Sequence, residues 1–131
     1  MISKKAKTTR GYLVKRGEFF QNWKKRFFVL ENGVLSYRPD DKPATPVIKS
    51  AKVLSVITWN GRDNGLCIKL DSGRDLYVDA QSEEKRDAWY DAVESHVRLN
   101  EMEKLREQAT RRNSQTDDSS EDEDSVNEVT L

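Results

Sequence analysis

A change of side-chain period near residue 80 constrains the fold more than any other feature of this chain. Before it, short runs alternate apolar and polar residues at 11–16, 23–30, 34–38, 47–50, 53–59, 65–70 and 74–79. Successive side chains on a strand point to opposite faces, so each run reads as one strand. Turn chemistry separates them: Glu31-Asn32-Gly33, the three prolines within 39–46, the loop 60–65, and Asp71-Ser72-Gly73. Asn-Gly tolerates the positive φ of a tight hairpin. After residue 80, Trp89, Ala92, Val93, His96 and Val97 recur at helical spacing on one face. Ser82 is placed to cap this helix, with Glu83 and Glu84 at its positive end. The expected fold is mainly β: a seven-stranded curled barrel or sandwich followed by a C-terminal helix.

Within that frame, the stretch 15–30 carries the chemistry. It reads as the end of one strand, a loop over 17–22, and a second strand. Lys24, Arg26, Phe28 and Leu30 share one face of the second strand; Leu13 and Lys15 share one face of the first. Each face is apolar at one end and cationic at the end nearest the loop. A curled sheet accounts for that switch: the apolar half fills the core, and the cationic half opens at the rim. Several cations converging on one place suit phosphate, because charge-assisted hydrogen bonds contribute roughly 1.5–3 kcal/mol each. Tyr37, Arg38 and Arg74 stand near the same rim, and Arg16 and Gly17 begin the loop, whose amides are candidates for a phosphate cradle. Phe19 and Phe20 form the loop tip. Two adjacent aromatics beside cations predict shallow insertion into a membrane interface.

The spacing Lys15-x-Gly17-x6-Lys24-x-Arg26, followed by two aromatics and then Tyr37, resembles the pleckstrin homology (PH) domain. More narrowly, it is similar to PH domains that bind 3-phosphorylated inositol lipids, such as that of protein kinase B. Trp89, midway along the helix, matches the most reliable single residue of the family. The resemblance covers roughly residues 9 to 99, the size of one domain. It departs from the family pattern at Lys24, where Arg is commoner. The resemblance implies that the helix caps one end of the barrel. It also implies a phosphoinositide-binding module, preferring 3-phosphorylated lipids, that docks reversibly on membranes. It implies head-group contacts from Lys15, Lys24 and Arg26, with Arg16, Gly17, Tyr37, Arg38 and Arg74 as candidate additional phosphoinositide-binding residues beside them. The alternative is a protein–protein interaction adaptor, because the fold alone does not fix the function.

Composition narrows the remaining classes. The net charge is zero, but residues 1–30 hold nine basic residues and one acidic, whereas 113–131 hold seven acidic and none basic. A basic front attracts an anionic surface, and an acidic end repels one. A nucleic-acid partner is not expected, because no RNP-like aromatic signature accompanies the cations. The lone Cys67, set between Leu66 and Ile68, reads as a small buried hydrophobe, and the lone His96 as a packing or surface residue. No catalytic constellation, metal-ligand cluster or cofactor motif is visible, so an enzyme is not expected. Met1-Ile2-Ser3-Lys4 has no apolar segment behind it, and no run of about 18 apolar residues exists. The expected location is cytoplasmic, with peripheral association with plasma or endosomal membranes.

The expected organisation is a disordered basic segment at 1–8, the domain at 9–99, and a helix extension with a disordered acidic tail at 100–131. Leu99, Met102 and Leu105 extend the helical stripe; from Gln108 onward the composition is too polar to fold. Ser114, after two arginines, and Ser119 and Ser120, before four acids, are candidate phosphorylation sites. Val129-Thr130-Leu131 resembles a PDZ ligand, so a protein partner through the tail is a further expectation.

Overall fold

The computed structural model describes residues 6–112 and 128–131. Six antiparallel strands and a long helix build the domain: β1 (Thr8–Arg16), β2 (Trp23–Glu31), β3 (Val34–Arg38), β4 (Lys49–Trp59), β5 (Gly65–Leu70), β6 (Asp75–Asp79) and α1 (Glu83–Arg112). A seventh strand, β7 (Glu128–Thr130), adds in parallel to the start of β1. The sheet runs β2-β3-β4-β5-β6-β1-β7, and β1 also pairs with β2 along 9–16, which closes the barrel through β1. The mainly β fold with a C-terminal helix is the expected one.

The elements differ from the sequence reading in three places. The runs 47–50 and 53–59 are not two strands. They are one strand, β4, whose first part pairs with β3 and whose second part pairs with β5. An irregularity between Val53 and Ser55 breaks the alternation there, as bulges do. The helix does not end near Gln108 but continues to Arg112, and residues 101–112 are all exposed. Finally, Glu128–Thr130 is a strand, whereas the polar composition from Gln108 onward predicts a disordered tail. Ser114, Ser119 and Ser120 lie outside the described residues.

Local chemistry explains the element ends. Asn32 and Gly33 both take positive φ (53° and 82°) in the β2–β3 hairpin. Ser82 caps α1: its Oγ accepts from the Lys85 amide at 3.1 Å. The core is the inward faces of the strands, among them Leu13, Phe28, Leu30, Leu66, Ile68, Leu76 and Val78, packed against Trp89 and Val93 of α1. Trp89 is wholly buried, as expected for a residue that closes the barrel.

Two polar residues of α1 fasten it to the β2–β3 hairpin. The Gly33 amide donates to His96 Nδ1 (3.0 Å), and His96 Nε2–H donates to the Lys7 carbonyl (2.8 Å). Asn100 Nδ2 donates to both the Gly33 and Val53 carbonyls (3.0 and 2.9 Å). His96 is thus a buried neutral bridge, and burial holds its pKa below the ordinary value.

Candidate functional site

The cationic rim forms where β1, β2, β3, β4 and the β5–β6 turn meet. Lys15 and Lys24 are direct neighbours in the β1–β2 register, and Arg26 lies one pleat further along β2. Tyr37 pairs with Lys49 across β3 and β4. Lys15 is only 8% exposed, and its Nζ stands 5.0 Å from the Tyr37 ring centroid. Burial first, then the charges of Arg74, Arg26, Lys24 and Lys49, push its pKa down to about 8. Five cations therefore share one field, and like charges concentrated this way favour an anion.

Beside this cluster is a cavity of about 450 Å³, within the usual range for small ligands. Its floor is apolar, from Leu35, Leu70 and Leu76, and its polar wall includes Tyr37, Lys49, Ser50 and Arg74. Arg74 is braced: Nη1 donates to the Tyr37 hydroxyl (3.2 Å) and Nη2 to the Arg16 carbonyl (3.4 Å). Glu18, on the β1–β2 loop, reaches over the mouth and pairs with Lys49 at 3.0 Å. The hydrogen bond from Lys49 holds the Glu18 carboxyl below its usual range.

The sequence-predicted residues divide. Lys15, Lys24, Arg26, Tyr37 and Arg74 converge. Arg16 and Arg38 do not. Arg16 lies over the Tyr77 and Trp59 rings, at 4.2 and 5.5 Å, on the opposite face of β1. Arg38 lies 5.9 Å from the Phe27 centroid and donates to the Thr45 carbonyl (3.2 Å), which pins the β3–β4 loop. Both are one residue removed from a pocket residue, so the pleat turns them away. Gly17 offers no free cradle either: its amide donates to the Asn22 carbonyl (2.7 Å), closing the loop. A Cβ at Gly17 would collide with the Phe20 carbonyl oxygen and Asn22 Oδ1, so glycine there serves the loop's tight path. Phe19 and Phe20 stand out at the loop tip, 84% and 79% exposed.

Lys49 was missed. It follows a proline-rich loop that hides the start of β4. Its pairing opposite Tyr37 depends on a β3–β4 register that the sequence does not display.

Residues 7–98 match the family model of the PH domain. The chain belongs to the PH domain family. Among curated human proteins it is similar to Pleckstrin-2, 28% identical over 112 residues, covering 79% of this chain and 32% of that protein. It is also similar to Arf-GAP with coiled-coil, ANK repeat and PH domain-containing protein 3, 31% identical over 90 residues, 66% of this chain and 11% of that one. This PH chain thus spans a third or less of those relatives. Among solved structures, the carboxyl-terminal PH domain of pleckstrin in complex with D-myo-Ins(1,2,3,5,6)P5 superposes with a TM-score of 0.60 at 24% identity, covering 67% of this chain and 92% of that one. The Slm1 PH domain, in complex with phosphoserine, gives 0.55 at 20% identity, covering 64% and 89%. These likenesses confirm the fold; they do not single out the protein kinase B type. Among the described residues, no helix is long and apolar enough to cross a membrane, and no group of His, Cys, Asp or Glu could hold a metal ion.

Proposed function

We propose that this PH domain is a binding module that takes a phosphoinositide head group in the rim of Lys15, Lys24, Arg26, Lys49 and Arg74. Tyr37 supports Lys15 and Arg74, and Phe19 and Phe20 enter the membrane interface. The observation that carries this reading is the burial of Lys15 against Tyr37 among four other cations: a buried ammonium so placed is poorly solvated until an anion arrives. That a pleckstrin PH domain of the same fold holds an inositol pentakisphosphate supports the ligand class. The preference is for a 3-phosphorylated head group, on the Lys-x-Gly-x6-Lys-x-Arg spacing. The chain is then cytoplasmic and recruited reversibly to plasma or endosomal membranes. Arg16, Arg38 and the Gly17 amide are not part of the proposed site.

The test compares soluble inositol phosphates by calorimetry with vesicles by sedimentation. Lys24→Ala with Arg26→Ala is expected to lower both affinities more than tenfold, on roughly 1.5–3 kcal/mol per charged contact, without unfolding the domain. Phe19→Ser with Phe20→Ser is expected to weaken vesicle binding and spare the soluble head group. Unchanged inositol phosphate affinity in the first variant refutes the site; equal losses in both assays for the second assign the loop a structural role. A vesicle panel carrying 3-phosphorylated against other inositol lipids decides the preference.

A second reading, an adaptor that binds protein, draws on Val47, Ile48, Leu54 and Ile57, apolar residues of the β3–β4 loop and β4 that are about half exposed. Absence of vesicle binding at any lipid composition would favour it.

A further inference from the structure

β1 has two edges. One pairs with β2 along its length, whereas the other meets β6 only at Val14 and Lys15. The second edge is therefore open over its first residues, and an open strand edge is a template for another strand. β7 uses it: Thr8 pairs with Glu128, Thr9 with Val129 and Arg10 with Thr130, and the Leu131 amide donates to the Arg10 carbonyl.

Gly11 marks this edge as a built groove. Glycine inside a strand weakens it and often marks a close approach of another backbone. A Cβ at Gly11 would lie 2.6 Å from the Leu131 carbonyl oxygen and 3.2 Å from its Cβ. The missing side chain is a notch through which Leu131 passes, and the Leu131 side chain packs against the barrel core. Thr8 and Thr9 are nearly fully buried in the same place.

We propose that the β1 edge at residues 8–11 is a docking site for an extended peptide, which runs parallel to β1 and places an apolar residue at the Gly11 notch. The chain's own segment 128–131 fills it in cis. Main-chain hydrogen bonds give such strand addition its affinity, and the notch gives it selectivity. The resident strand is three residues long and parallel, the weaker pairing geometry, so it is exchangeable. The fifteen residues 113–127 join it to α1. Extended, they reach at most about 50 Å, enough for the end of α1 to be joined to β1. Covalent attachment gives the resident strand an effective concentration on the order of mM, so a free peptide enters only when the segment is released.

The probe is a fluorescein-labelled peptide with the sequence of residues 125–131, read by anisotropy on the full chain. Leu131→Asp removes the apolar anchor and frees the edge; it is expected to bind the peptide saturably, at least tenfold more tightly than the unmodified chain. Adding Gly11→Ala to that variant closes the notch and is expected to abolish binding. Thermal melting confirms that each variant is folded, and Val129→Asp replaces Leu131→Asp if that chain melts early. The proposal is overturned if the folded, freed chain does not bind the peptide, if it binds no better than the unmodified chain, or if Gly11→Ala leaves binding intact.

Discussion

At the scale of single residues, Lys15 holds the clearest signature. Its pKa of about 8 lies below the ordinary 10.5, so the empty domain keeps it protonated at neutral pH only against burial and four cations. An incoming phosphate raises that pKa, and binding therefore takes up protons near pH 8. By linkage, head-group affinity is greatest below pH 8 and falls as pH rises through it, by at most about tenfold per unit. Calorimetry at pH 8 in buffers of different ionisation enthalpy should show proton uptake, and Lys15→Arg should abolish it. Buffer-independent heats would refute the linkage. Glu18 acts in the opposite sense. Its carboxylate occupies Lys49 at the mouth, so a ligand must displace it. Exposed pairs contribute little, and Glu18→Gln should therefore raise inositol phosphate affinity only modestly; a loss of affinity would mean that Glu18 helps hold the ligand. Alternation along the strands suffices to bring Lys15, Lys24 and Arg26 together from the sequence. The same rule excludes Arg16 and Arg38, each adjacent to a pocket residue and hence turned away. Lys49 and Glu18 were not legible, because their places depend on the β3–β4 register and the path of a loop.

At the scale of elements, the period change near residue 80 was legible because helix and strand bury different patterns. The corner in β4 was not. Two pieces of one strand pair with different neighbours, and the irregularity at Val53–Ser55 shifts the alternation between them. The fastening of α1 was hidden as well: His96 and Asn100 read as helix-face residues, whereas both bond to a hairpin more than sixty residues away. Burial lowers the His96 pKa below 6.5, so the unfolded chain binds the proton more readily. The bridge therefore contributes stability above about pH 6.5 that is lost as pH falls below it. Denaturant unfolding at pH 7.5 and pH 5 should show this loss, and His96→Gln should flatten it; an equal loss in that variant assigns the acid sensitivity elsewhere. Asn100→Ala leaves the Gly33 and Val53 carbonyls without this donor and should cost about 1–3 kcal/mol, a similar amount at both pH values.

At the scale of the whole molecule, charge is balanced in sum and segregated in sequence. Nine of the basic residues fall within 1–30, and six acids fall between Asp117 and Asp124. The acidic stretch is attached at both ends, to α1 at Arg112 and to β1 through β7. Its anchor at Thr8 is seven strand positions from Lys15, roughly 23 Å at the usual rise. Screening acts over about 8 Å at physiological ionic strength and about 30 Å at 0.01 M. Any acid more than about 8 Å from the rim acts on it through its field only when salt is low. Replacing the six with Asn and Gln should therefore raise affinity for anionic vesicles several-fold at about 0.01 M salt and by less than about twofold at 0.15 M. Phosphorylation at Ser119 and Ser120, adding roughly −1.5 to −2 charges each, should act in the reverse direction with the same salt dependence. A gain at physiological salt as large as that at low salt would mean that the acids touch the lysines and arginines of the rim directly, in competition with phosphate.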